Sequence, residues 1–311
     1  MDPAPLGPPE KPGTLVFLPG TGRPNPQLAD RIREQVAEVP GLSDYRVLAV
    51  DWAAAAPDEV SFVPALPPRY VADDPPGVTD TSLALALFGM DLGAADPLKQ
   101  ASSAGAPPAR PDAALLGETL QDLVLGLITD AGIRHRIRLT DAAGSFFGKV
   151  AFYLRHGPAA RARIADTLRS MDQDAPVVLF GHSLGSVAAV DLLSSPEAEG
   201  IRVDLLVTVG SQAPWFYLLD ALAYLGPVRG GSGPAVPWLN FWDERDLISF
   251  CAERVFAGRD VNVTDSEVDS GKPFPESHDA YFSDPRVYRQ LWEHLREARA
   301  DKPDSGNGTG I

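Results

Sequence analysis

The feature that most limits how this chain can fold is the apolar run Val177 to Phe180. It passes directly into Gly181-His182-Ser183-Leu184-Gly185, and Leu184 to Leu193 then continues at helical spacing. A short apolar run without alternation reads as a strand buried on both faces, and such strands belong to parallel sheets covered by helices. A Gly-x-Ser-x-Gly turn between such a strand and a helix projects its serine at the C-terminal edge of the sheet. The glycines to either side let neighbouring backbone pass where a Cβ would clash. Ser183 is therefore a candidate nucleophile. The N–H of Leu184, which opens the helix, is a candidate donor to a developing oxyanion.

The rest of the chain repeats the strand-and-helix rhythm. Thr14 to Leu18, Tyr45 to Val50, Val203 to Val209 and Trp238 to Trp242 read as further buried strands, with Val255 to Val263 as a sixth. Helical patterns cover Asn25 to Val39, Gly148 to Met171 and Arg286 to Arg299. Alternating strands and helices predict an α/β fold with a mostly parallel central sheet and helices on both faces. The rhythm breaks between about 53 and 147, where Pro- and Ala-rich stretches surround one helical pattern, Asp112 to Thr129. This region is expected to be a long, mainly helical insertion before the nucleophile strand, placed like a cap or serving as a partner surface. Residues 13–299 are read as one domain containing that insertion. Residues 1–12 and 300–311 lack apolar periodicity and are expected to be disordered tails.

Charge and composition remove several classes of function. A net charge of -15 disfavours nucleic acid and anionic membrane surfaces. A single cysteine, Cys251, excludes an intramolecular disulfide framework. The N-terminus lacks a basic and apolar leader pattern, and no run approaches the roughly 20 apolar residues of a membrane span. A cytoplasmic protein without stable membrane insertion is expected. The candidate chemistry calls for no metal and no cofactor.

A serine hydroxyl needs a general base, and five histidines are available. His182 lies inside the elbow and is expected to point away from the nucleophile. His135 and His156 precede Ser183, against the Ser, acid, His order of such sites. His294 falls on a charged helix. His278 remains, in a loop after the last strand-like segment. The acid that orients it should follow a strand between Ser183 and His278, and Trp238 to Trp242 runs into Asp243-Glu244-Arg245-Asp246. Asp246 is preferred because two apolar residues follow it and can turn it inward, with Asp243 second. A second oxyanion donor is expected from the Gly-rich turn Leu18-Pro19-Gly20-Thr21-Gly22, with the Thr21 amide first and Gly22 second.

At these residues the chain resembles the α/β-hydrolase superfamily, within it the lipase and esterase branch. Leu18-Pro19-Gly20-Thr21-Gly22 stands where those proteins often carry His-Gly-x-Gly, with proline in place of the histidine. Val207-Thr208-Val209-Gly210-Ser211 looks like the strand and turn that follow the elbow in triacylglycerol lipases. Phe241 to Ile248 resembles the acid segment, and Ser277-His278-Asp279-Ala280-Tyr281 the histidine segment. The similarity covers about 14 to 52 and 148 to 297. It implies a Ser183, Asp246, His278 triad acting on a carboxylic ester, lipid-like or acyl, through an acyl-enzyme. The same triad would suit a peptidase or thioesterase. The acidic surface and the insertion motivate a different alternative, an effector governed by a regulatory protein partner, or a scaffold without catalysis.

Overall fold

The computed structural model describes residues 11–20, 22–54, 136–172 and 174–300, with the side chains of 136–147 excepted. The chain divides into two compact units, residues 1–56 with 150–311, and residues 57–149. The expected helix Asp112 to Thr129, both expected tails apart from Lys11 and Pro12 and residue 300, and Thr21 lie outside the described residues.

Among the described residues six strands form one sheet: β1 (Thr14–Leu18), β2 (Arg46–Ala49), β3 (Val177–His182), β4 (Leu205–Val209), β5 (Trp238–Trp242) and β6 (Val263–Glu267). Their spatial order is β2-β1-β3-β4-β5-β6, and every neighbouring pair is parallel. The expected parallel sheet with helices on both faces is the one observed.

Strand alternation decides which residue feeds which core. Leu15, Phe17, Val178, Phe180, Leu205, Val207 and Val209 pack with Ile32 and Val36 of α1 (Pro26–Glu38). On that same face lie Val287, Tyr288, Leu291 and Leu295 of the C-terminal helix Pro285–Ala300. Val16, Leu18, Val177, Leu179 and Leu206 point the other way. They meet Ile164 and Leu168 of α2 (Arg136–Arg169) and Val187, Ala188 and Val190 of α3 (Leu184–Leu193). A sheet coated on both faces has no polar side, which is why its central strands read as unbroken apolar runs. α1 starts where expected: Asn25 accepts from the Gln27 amide as its cap, and Pro26 occupies the first turn. A short α4 (Ala213–Leu218) follows β4, and the C-terminal helix is α5. No described helix is long and apolar enough to cross a membrane.

One strand differs from expectation. The sixth lies at Val263–Glu267, not at Val255 to Val263. Among the described residues it pairs with β5 alone, at the sheet's edge, and its residues are half-buried or exposed, so Val-Thr-Asp-Ser-Glu needs no apolar run. The apolar residues just before it pack as irregular chain instead, with Phe256 fully buried between Trp238 and Tyr217.

Candidate active site

The site is built at the C-terminal ends of consecutive strands. β3 ends at His182, and Ser183 caps α3 with φ 52 and ψ -126, a backbone conformation that a residue with a Cβ rarely adopts. The Ser183 amide donates to the Val209 carbonyl of β4 at 3.1 Å, and the Ser186 amide closes the turn on the Ser183 carbonyl at 3.0 Å. The elbow tolerates little bulk. A Cβ on Gly185 would stand 2.2 Å from the Leu18 carbonyl oxygen, and one on Gly181 2.7 Å from the Ser186 Cα. Leu184 is the first residue of α3, so its N–H has no partner within the helix.

The other expected side chains arrive from the far end of the chain. Asp246 lies just beyond β5 and His278 on a 3-10 turn, Glu276–Ser283, rather than in an irregular loop. The structure brings these two together: His278 Nδ1 is 2.8 Å from Asp246 Oδ2. A carboxylate can only accept, so Nδ1 is the donor of this bond and Nε2 is left to face elsewhere. Asp246 is buried, and Tyr281, one turn beyond His278, donates its hydroxyl to the same Oδ2 at 2.9 Å. Burial, and then the negative charge of Asp246, pushes the Tyr281 phenol well above its usual range, so it stays a donor.

Asp243 is equally buried but faces elsewhere. Its oxygens accept from the Arg245 amide at 2.8 Å and the Ser270 amide at 3.0 Å, pinning the turn after β5 to the segment after β6. A polar ladder inside the sheet supports the same region. Trp238 donates to Thr208, Thr208 to Asn240, and Asn240 to the Phe250 carbonyl and to Asp265.

Three further residues shape the site. Gly210 has φ 57, and a Cβ there would meet Asp246 Oδ2 and the His278 ring at 3.0 Å, so the absence of a side chain makes room for the pair. The Ser183 hydroxyl donates a hydrogen bond to Gln212 Oε1 at 3.2 Å. His182 lies on the His278 side of the elbow, its ring centroid 4.5 Å from that of His278 and its Nε2 3.0 Å from the His278 carbonyl oxygen. Burial and then the neighbouring imidazole hold the His182 pKa well below the usual histidine range. Its Nε2 therefore donates as part of a neutral ring. Gly210 and Tyr281 stand inside the segments Val207 to Ser211 and Ser277 to Tyr281; Gln212 directly follows the first and has no sequence signal of its own.

The Gly-rich turn after β1 is fastened by one carbonyl. The Pro19 carbonyl accepts both the Gly22 amide at 3.0 Å and the Trp52 indole N–H at 2.9 Å. A Cβ on Gly20 would come within 2.6 Å of the Ser183 Cβ, so this turn lies directly against the elbow. Thr21, the first-choice second oxyanion donor, lies outside the described residues. His294 bonds the Gln290 carbonyl one turn back on its own helix. Among the described residues, no group of three or more His, Cys, Asp or Glu side chains is placed to hold a metal ion.

A parallel sheet of this strand order, with a serine elbow between β3 and α3, is the arrangement of the α/β-hydrolase fold. Within it, residues 160–219, the stretch from α2 through the elbow to α4, match the family model of the thioesterase domain. No curated protein matches the sequence significantly. Among solved structures, the chain is similar to a hydrolase of the α/β superfamily from Xanthomonas campestris pv. campestris, at 15% identity over 91% of this chain and 99% of that one, with a TM-score of 0.36. It is also similar to a Thermus thermophilus protein, at 16% identity over 94% and 92% of the two chains, with a TM-score of 0.40. The RedJ thioesterase of the prodiginine biosynthetic pathway in Streptomyces coelicolor is a third, at 16% identity over 95% and 90%, with a TM-score of 0.35.

Proposed function

We propose that this protein is a serine hydrolase that cleaves an acyl ester by way of an acyl-enzyme. The observation that carries the reading is the pair His278 Nδ1 and buried Asp246 Oδ2 at 2.8 Å, with the His278 ring against His182 of the elbow that bears Ser183. Asp246 holds the imidazole in the tautomer whose Nε2 can take a proton. Ser183 Oγ attacks the carbonyl carbon as its proton passes to His278 Nε2. The tetrahedral oxyanion is held by the N–H of Leu184 and, in this proposal, that of Thr21. Collapse expels the leaving group, which takes the proton from His278. Water then attacks the acyl-enzyme, giving its proton to His278, and Ser183 recovers its hydrogen as the acid departs.

A second leaving group, a thiol, is favoured by the thioesterase-domain match over 160–219. Oxygen esters and thioesters pass through the same intermediate, so the machinery above serves either. One experiment tests the reading. Wild type should take a fluorophosphonate label that Ser183→Ala does not, and it should release acid from a series of p-nitrophenyl esters or N-acetylcysteamine thioesters of graded acyl length. A wild type that neither labels nor cleaves any member of the series would sink the hydrolase proposal and favour the non-catalytic scaffold.

A further inference from the structure

We infer that Gln212 is a positioning residue of the hydrolytic site: its amide is locked in one orientation, presenting its oxygen to Ser183 and tying the nucleophile to the loop that carries Asp246. This rests on the serine-hydrolase reading and adds to it a residue with no place in the triad or the oxyanion site.

The lock follows from donor and acceptor chemistry. Gln212 is 1% exposed, at the junction of β4 and α4. Its Nε2 donates to the Gly210 carbonyl and to the Ile248 carbonyl, both at 2.7 Å. Carbonyl oxygens only accept, so a flipped amide would set its oxygen against two others, and one orientation remains. In that orientation Oε1 meets the Ser183 hydroxyl at 3.2 Å. Ile248 follows Asp246 by two residues, and its own amide donates to Asp246 Oδ1 at 3.3 Å. Gly210 is the residue against which the Asp246 and His278 side chains pack. One side chain therefore touches the nucleophile, the floor beneath the pair and the loop of the acid. In the resting structure it holds the Ser183 hydroxyl, whose proton must turn to His278 when substrate arrives.

Two variants separate positioning from bracing. Gln212→Met keeps the volume and removes every polar contact. It should lower the rate of Ser183 phosphonylation and kcat by about tenfold, the worth of one or two buried hydrogen bonds, with KM nearly unchanged. Gln212→Glu mimics the amide only while protonated, when its O–H donates to one carbonyl and its other oxygen faces Ser183. Ionised, it opposes two carbonyl oxygens with no donor. Its labelling rate should therefore fall relative to wild type as pH rises from about 6 to 9, since burial delays ionisation of a carboxyl into that range.

Labelling of wild type but not of Ser183→Ala first establishes the hydrolase. If wild type labels and both Gln212 variants keep its rate and pH profile, the positioning role is overturned while the hydrolase reading survives. Equal losses in both variants without the added pH dependence, matched by equal losses in melting temperature, would make Gln212 a structural brace only and also overturn it. Failure of wild type to label would remove the hydrolase reading and the role of Gln212 with it.

Discussion

Asp243 and Asp246 sit three residues apart at the end of one strand, both buried, yet only Asp246 reaches His278; Asp243 closes its oxygens on two backbone amides. The contrast predicts opposite phenotypes. Asp246→Asn should leave the imidazole in the wrong tautomer and reduce kcat by roughly 10³- to 10⁴-fold with little change in folding. Asp243→Asn should retain most activity while losing about 1–3 kcal/mol of stability, because an amide nitrogen would face a backbone donor. Steady-state kinetics and urea denaturation of both variants check this, and reversed results would exchange the two roles.

Tyr281→Phe removes one of the two side-chain donors on Asp246 Oδ2. The expected loss in kcat is about fivefold, matching one buried hydrogen bond. The phenol is pushed far above its usual range by burial and by the charge of Asp246, so it stays protonated through the alkaline range. The ratio of wild type to variant should therefore be the same at pH 7 and pH 10. A ratio that collapses at high pH would mean that the phenol ionises and donates nothing there.

Gly210→Ala should be costly for two reasons. A φ of 57 strains any residue with a Cβ, and that Cβ would press on Asp246 and His278 at 3.0 Å. About 1–3 kcal/mol of stability is expected to go, together with most of the phosphonate labelling. A variant that unfolds like wild type and labels at the wild-type rate would show that the pair has more room than this geometry gives it.

The buried, neutral His182 makes stability depend on pH. Its folded pKa lies well below the ordinary 6.5, from burial first and His278 second. Asp279 stands 3.8 Å away, but its side chain is 55% exposed and too well screened to hold a proton on the ring. Below pH 6.5 the unfolded chain binds a proton here that the folded chain refuses. The contribution of His182 is therefore complete above that pH and declines as pH falls toward the folded pKa, at up to about 1.4 kcal/mol per pH unit. His182→Gln, which still offers a donor to the His278 carbonyl, should flatten this slope in urea titrations between pH 7 and 5.

What could be read in the sequence followed from burial. Val177 to Phe180 and Trp238 to Trp242 are strands in the sheet's interior, and their unbroken apolar runs mark them. Among the described residues β6 is an edge strand with one neighbour, and its polar residues carry no such mark, so the expectation fell on the apolar stretch before it. That Ser183, Asp246 and His278 each stand beyond the end of a strand was legible in the order of the segments, and the structure pairs the last two. Gln212 was not, since its contacts to Ser183 and Ile248 span 29 and 36 residues and leave no local pattern. The orientation of His182 was hidden for the same reason: its partner is the backbone of a residue 96 positions away.

The strand order has a kinetic consequence. The Gly-rich turn follows β1, Ser183 follows β3, Gln212 follows β4, Asp246 follows β5 and His278 follows β6, so no local stretch of chain holds a working subset. Parallel neighbours joined by long crossovers close large loops before any pairing rewards them, which makes such sheets slow to assemble. A nascent or partly refolded chain thus carries Ser183 without the Asp246 and His278 pair. The hydrolytic activity proposed for this site would be a late property of the fold, and on dilution from denaturant it should return after the helical signal rather than with it.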